Sequence, residues 1–286
     1  MKPEFRFHLL RLASVLAASV ALTPALTLVA ASFVRNDETG GGLRLSALAS
    51  PTVANYVEVM SAIAFGRNDD PLRRLVVYFS NTLLISAGTV AVCLVMSVGG
   101  ALVASRSSFR WSHGLRQISL WGYVIPPIVL IFPYGHLLSS VGLQGTRIGL
   151  LLAHIAFCMP LSLWLMTQYF DAIPLQWDRT AEADGLSCAT TLKSVLLPRA
   201  VTGIAAVATF VAVLSWNDVI LAYVLASERT KTLGIGIQEA FPNETLSSNS
   251  TAAAATLLAS IPLVLGVLVT YAYVVRQMRR EWGISS

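Results

Sequence analysis

Three cysteines, four histidines and fifteen carboxylates are the groups in this 286-residue chain that could do chemistry, and their spacing assembles no familiar catalytic constellation. Cys93, Cys158 and Cys188 show no paired interval for a disulfide framework or a zinc site. His8, His113, His136 and His154 lack metal-ligand spacing, and the chain has no serine-centred elbow or glycine-rich phosphate loop. The sequence therefore offers no catalytic centre, no metal site and no cofactor of its own. What it does offer is polar groups in apolar company. Asp218 stands inside the apolar run Val201–Leu225, where a bare carboxylate costs at least about 2.5–3.5 kcal/mol, so it must face protein or water. Two roles stay open. With Asn217 donating and Trp216 presenting a flat ring, the three residues could line a solute path. Alternatively, Asp218 clamps helix to helix near a membrane boundary, about 27 Å along a helix from Ala200.

The second polar island is Arg179–Ala200, RTAEADGLSCATTLKSVLLPRA, set between two long apolar runs. Capping rules predict Asp178 as an N-cap, Gly185 as a left-handed stop, Ser187 as the cap of a second helix and Pro198 as its end. The product is a helix-turn-helix elbow at a membrane surface.

These islands need elements to hold them, and composition says which. With 55% hydrophobic and 12% charged residues and a mean hydropathy of +0.67, the chain carries too much apolar surface for one soluble core of its size. The expected fold is all-α, a polytopic membrane protein. Apolar runs occur at Leu12–Val34, Tyr78–Ala104, Ile118–Leu138, Ile148–Phe170, Val201–Leu225 and Thr251–Val275. The shortest rises about 31 Å as a helix, enough for a hydrocarbon core of about 30 Å. Six transmembrane helices are thus expected, with the elbow between the fourth and fifth.

An even number of spans places both termini on one side, and basic residues indicate which. Segments 1–11, 105–117, 171–200 and 276–286 hold 12 Lys and Arg in 65 positions, against 8 in the 77 positions of 35–77, 139–147 and 226–250. Arg106, Arg110 and Arg116 have no acid in their loop to offset them. The bias predicts a cytoplasmic tail 1–11, a membrane domain 12–275 with a cytoplasmic loop 171–200 and an extracytoplasmic loop 35–77, and a cytoplasmic tail 276–286. Topology accounts for the net charge of +5 without nucleic acid. Lys2, Arg6 and Arg11 precede the first run as in a signal peptide, but its 23 positions exceed a usual 7–15-residue apolar core, so it is expected to stay as helix one.

Within loop 35–77, PTVANYVEVMSAIAFG sets Val53, Tyr56, Val57, Met60, Ile63 and Ala64 on one helical face, predicted to lie on the membrane, neighbouring helices or an outer partner. Glycines 40–42 predict flexibility before it, and Asn243–Ser250 forms a polar loop before the last run. Pro126, Pro127 and Pro133 in the third run, Pro160 in the fourth and Pro262 in the sixth each remove a backbone hydrogen bond, marking kinks or hinges.

In this order the features resemble ABC importer permeases. Asp184-Gly185 followed by Leu197-Pro198, with thirteen residues from glycine to proline, matches the register of the family's cytoplasmic coupling loop. Ala181 keeps one alanine of its glutamate-alanine-alanine opening, whereas Arg179 and Thr180 stand where the family has glutamate and alanine. NTLLISAGTV, GLQGTRIGLLLAHIAFCMPLSLWLMTQYFDAIP, the elbow, SWNDVILAYVL and TLGIGIQEA extend the likeness over most of the chain. The set looks like the carbohydrate-uptake subgroup, similar to the maltose-type G permease.

The resemblance implies a transmembrane permease subunit of an ATP-driven, binding-protein-dependent importer for a sugar or sugar-like solute in a bacterial-type inner membrane. Its implied partners are a second homologous permease subunit, two nucleotide-binding ATPase subunits that hold ATP and Mg, an extracytoplasmic solute-binding protein and membrane lipid. Arg179, Ala181, Glu182, Asp184, Gly185, Leu186 and Pro198 would couple to the ATPases, with Glu182 as a substitute for the missing glutamate. Trp216, Asn217 and Asp218 would lie on the translocation path. Gln277 and Gly283 keep the family's C-terminal spacing, but only Ile284, Ser285 and Ser286 follow, which predicts that the tail between the ATPases is shortened or absent. A disaccharide, polyol or glycerol-phosphate permease would share these motifs. A secondary transporter or channel working without ATPases is the alternative; it would call for inverted repeats or several intramembrane charges.

Overall fold

The computed structural model describes residues 3–35, 51–66, 71–106, 112–242 and 250–281. Glycines 40–42, Arg110, residues 243–249 of the polar loop and the tail from Trp282 onward, Gly283 included, lie outside the described residues. The described chain is helical: α1 (Pro3–Ser32), α2 (Ala54–Phe65), α3 (Pro71–Arg106), α4 (Ser112–Val124), α5 (Pro127–Ser140), α6 (Arg147–Ala172), α7 (Gln176–Ala183), α8 (Cys188–Thr191), α9 (Leu197–Trp216), α10 (Ile220–Leu225), α11 (Leu233–Ala240) and α12 (Ser250–Glu281). A helix pairs its backbone groups within itself, which is why apolar runs of this length adopt it in lipid.

Among the described residues, five helices are long and apolar enough to cross a membrane: Arg11–Ser32, Pro71–Arg106, Arg147–Ala172, Cys188–Trp216 and Ser250–Gln277. Two of the six expected spans are not single helices. The third run is broken at Ile125–Pro126, with Pro126 extended at φ −60°, ψ 137°. A residue before proline is pushed out of the helical region, so the Pro126-Pro127 pair divides α4 from α5. The fifth run is broken between Trp216 and Ile220, where no proline or glycine marks the site. Pro133, Pro160 and Pro262, by contrast, sit inside α5, α6 and α12, which continue through them.

The chain forms two compact units. One comprises residues 1–76 and 236–261. In it Asn55 Nδ2 donates to the carbonyls of Ser32 and Val34, each at 2.8 Å, closing the frayed end of α1. Ser32 Oγ and Tyr56 OH are 2.7 Å apart, and Thr251 Oγ1 donates to Glu58 at 2.9 Å. These bonds decide which side of α2 faces inward: Asn55 and Val59 are buried, whereas Val53, Val57 and Met60 are more than half exposed. Of the apolar face expected from periodicity, Val53, Val57 and Met60 thus stay exposed while Tyr56 packs on Phe33, because the buried side is selected by the amide that satisfies two carbonyls.

The other unit comprises residues 77–235 and 262–286. Its described residues include two apolar clusters. One gathers Cys93, Cys158, Met166, Phe170, Leu196, Val207 and Val211 from α3, α6, the segment before α9, and α9 itself. The other gathers Ile85, Ile131, Leu138, Leu150, Leu221 and Leu225. Asn81 ties loops to the second cluster, donating to the carbonyls of Arg229 and Lys231 at 3.0 and 2.9 Å while accepting from Arg147 Nε at 2.9 Å. Helices α6 and α9 approach so closely that a Cβ on Gly203 would stand 2.4 Å from Cγ of Tyr169 and 2.8 Å from its Cβ. A Cβ neighbour cannot swing away, so the helices must separate, at about 1–3 kcal/mol. Gly203→Ala is expected to lower the thermal unfolding midpoint of the solubilised protein by about 2–10 °C. An unchanged midpoint would contradict this packing.

Candidate functional site

The elbow's first cap falls three residues before the expected one. The first helix, α7, starts at Gln176 with Leu175 before it, so Asp178 is its third residue and not its N-cap. In the first turn the carboxylate still favours the positive end of the helix dipole. Its partner is Arg106, at the end of α3, whose Nε lies 3.2 Å from Asp178 Oδ2 while its Nη2 donates to the carbonyl of Ile173 at 2.9 Å.

Gly185 adopts φ +74°. Leu186 N–H donates to Ala181 O at 2.9 Å and Gly185 N–H to Glu182 O at 3.0 Å, the paired bonds of a Schellman motif. Ser187 then caps the second helix, accepting from Thr190 N–H at 3.3 Å. Pro198, expected to end that helix, does not. From Cys188 the chain runs through a π turn, Leu192–Leu196, straight into α9, where Pro198 is among the first residues. Leu197 N–H reaches back five residues to Leu192 O, and this wider turn leaves room for a ring that lacks an N–H.

Two further contacts fasten the same region. Arg116 of α4 grips Asp171 with both carboxylate oxygens, at 2.8 and 3.0 Å, and also donates to the carbonyl of Ala104. The Arg199 guanidinium stacks 3.6 Å from the ring centroid of Trp177. The elbow is thus joined to α3 and α9 by separate contacts, and the α6 end that leads into it is joined to α4. Of the expected contact residues, Ala181 is buried and supports the turn, while Arg179, Glu182, Asp184, Gly185 and Pro198 are exposed. Glu182 and Leu186 line a cleft of about 520 Å³ together with Arg106, Asp178 and Cys188.

The residues at the break after α9 go separate ways. Trp216 lines a cavity of about 510 Å³ with Ser86, Thr209, Pro262 and Thr270, and its ring meets Phe79 edge-on at 6.1 Å. Asn217 is exposed and donates to the carbonyl of Val213 at 2.9 Å. Asp218 turns toward α6, where its Oδ2 lies 3.3 Å from His154 Nε2. A path built from all three does not form in this conformation. His154 has no metal-ligand spacing in the sequence, yet a buried imidazole in an apolar span calls for a partner, and Asp218 is the carboxylate that stands beside it.

Fold and elbow together define a polytopic helical membrane protein with a fastened, surface-exposed handle. Residues 96–280 match the family described as binding-protein-dependent transport system inner membrane component. The chain belongs to that family. It is 27% identical over 270 residues to the trehalose/maltose transport system permease protein MalG of Thermococcus litoralis, covering 93% of each chain. It is 28% identical over 200 residues to the trehalose transport system permease protein SugB of Mycobacterium tuberculosis, covering 67% of this chain and 72% of that one. Its fold superposes, at a TM-score of 0.72 and 20% identity, on a chain of a bacterial ABC transporter involved in the import of the acidic polysaccharide alginate, covering 96% of this chain and 98% of the other. The protein is accordingly a multi-pass inner-membrane transport component.

Proposed function

We propose that the chain is the transmembrane permease subunit of an ATP-driven importer that accepts a sugar or sugar-like solute from an extracytoplasmic binding protein. The observation that carries this reading is the elbow: a Gly185 turn with its carbonyls closed, tied by Arg106–Asp178 to α3 and by Trp177–Arg199 to α9. A handle so fastened passes a push on its exposed face to membrane helices without deforming first. ATP and Mg belong to two partner ATPases that push from the cytoplasm, and the broken and proline-bearing helices give the points at which a path alternates between sides.

In this reading α4 and α5 act together as a sixth, broken crossing, and both termini and the elbow are cytoplasmic. The elbow acts as the coupling helix, with Glu182, Asp184, Gly185 and Leu186 toward the ATPase. Trp216 is the residue of its trio that faces the solute path. A second permease subunit completes the assembly; residues 11–27 of α1 are exposed in this chain, which leaves them for that subunit and lipid. The trehalose and maltose relatives favour a saccharide. A secondary transporter finds support only in the His154–Asp218 contact, and one such pair falls short of the several charges that ion coupling calls for.

A cysteine introduced at Ser247 is expected to react with a membrane-impermeant maleimide in intact cells, and Cys188, beside the elbow turn, only after the membrane is opened. The reverse pattern would invert the orientation and remove the elbow from the ATPase side.

A further inference from the structure

His154 and Asp218 form a buried acid-base pair between α6 and the break after α9, and the importer reading leaves it without a task. The imidazole side chain is 0% exposed and the carboxylate 7%, with 3.3 Å between Nε2 and Oδ2. His154 Nδ1 lies 2.8 Å from the carbonyl of Leu150. A carbonyl only accepts, so Nδ1 carries a proton there. Nε2 then stands 3.3 Å from the carboxylate, within ion-pair distance but outside hydrogen-bond geometry, and no other group among the described residues partners it. With a bare lone pair it would set two electron-rich atoms against each other away from water, and one further proton, on either partner, makes the contact attractive.

The carboxylate has a second task. Its two oxygens accept from the N–H groups of Leu221 and Ala222, at 3.4 and 3.3 Å, at the start of α10. One side chain thus joins α6 to the start of α10, immediately after the end of α9. Trp216 stands two residues earlier and lines the 510 Å³ cavity.

We propose that His154 and Asp218 are a one-proton latch that holds the break after α9 against α6 and so fixes where Trp216 stands in the cavity. They are positioning residues. That the cavity belongs to a solute path rests on the importer reading; the latch itself does not.

The test uses the full chain in native membranes with its partner subunits. Cys188→Ser removes the exposed thiol, Cys93 and Cys158 being buried, and Trp216→Cys places a reporter at the cavity. Its modification by a small membrane-permeant maleimide is timed with the latch intact and altered. His154→Gln keeps a donor toward the carboxylate and is expected to label within about twofold of the parent. His154→Leu combined with Asp218→Asn removes the ring's donor without stranding a charge, and is expected to change the rate by about fivefold or more. Equal rates in all three chains overturn the proposal. So does a double variant that is merely less abundant, with the surviving chain labelling at the parent rate, since that is what a purely structural role predicts.

If the double variant does not reach the membrane, histidine-nitrogen NMR of the wild-type complex decides, with the His154 signal identified by its loss in His154→Gln. A protonated Nδ1 is expected, and a bare Nδ1 overturns the latch. Failure of the importer reading looks different: ATP drives no uptake, while labelling rates still separate the variants.

Discussion

Replacing Gly185 with valine is expected to leave the subunit in the membrane and to cut solute transport to about one-tenth or less while ATP hydrolysis by the assembled complex continues. No atom lies within 4 Å of a Cβ built at Gly185, so crowding is not the cause. The cost is backbone strain. At φ +74° a β-branched residue pays about 1–3 kcal/mol. Helix α7 has only eight residues, too few to persist alone, so releasing the turn loosens the whole handle. Asparagine tolerates the left-handed region, and Gly185→Asn should transport within about threefold of wild type. Uptake and ATPase rates in the same proteoliposomes check both. Normal transport by a well-inserted valine variant would remove Gly185 from the coupling machinery.

A larger loss is expected from Leu186→Asp, which should abolish assembly with the ATPase. Leu186 is 38% exposed and stands beside Asp178 and Glu182 on the cleft. If the elbow docks as proposed, the ATPase covers it, and a carboxylate there would be buried beside Glu182 and Asp178, with Arg106 already paired to Asp178, a cost of several kcal/mol. Arg179→Glu, by contrast, should change ATPase coupling by less than about threefold, because the Arg179 side chain is exposed on the turn of α7 and free to reach into water. Co-purification of ATPase with each variant separates the two. Should Arg179→Glu abolish assembly, and an acid-to-base change in the ATPase restore it, Arg179 is itself a docking residue and the order of contacts is reversed.

The parts of the site that could be read from the sequence are those specified by neighbours along the chain. A glycine that must turn left-handed and a serine that caps the next helix are local signals, and both stand in the structure as expected. Pro126-Pro127 announces a break that counting apolar residues passes over. Pro198 misled because proline also fits the first turn of a helix, and the π turn before it makes that fit possible. Arg106–Asp178 and His154–Asp218 were illegible for a different reason: each joins residues far apart in the chain, and only folding brings them together. The break at Asp218 differs: its carboxylate caps α10 from three and four residues away, a local signal that no proline or glycine reinforces. Apolar periodicity marks a face on α2 without saying what covers it; in the fold Asn55, through its two hydrogen bonds to the carbonyls of Ser32 and Val34, fixes which side is buried in the chain, and no spacing in the sequence announces that contact.

The central claim is that this chain moves a solute only when ATPase subunits act on its elbow. Its most direct test is uptake into proteoliposomes that contain the permease pair and its ATPases, with the cognate binding protein loaded with labelled saccharide on one side and ATP and Mg on the other. Uptake is expected to require both ATP and the binding protein and to disappear in Gly185→Val while hydrolysis persists. Uptake that proceeds without ATPase subunits, driven by an ion gradient or by the solute gradient alone, would contradict it.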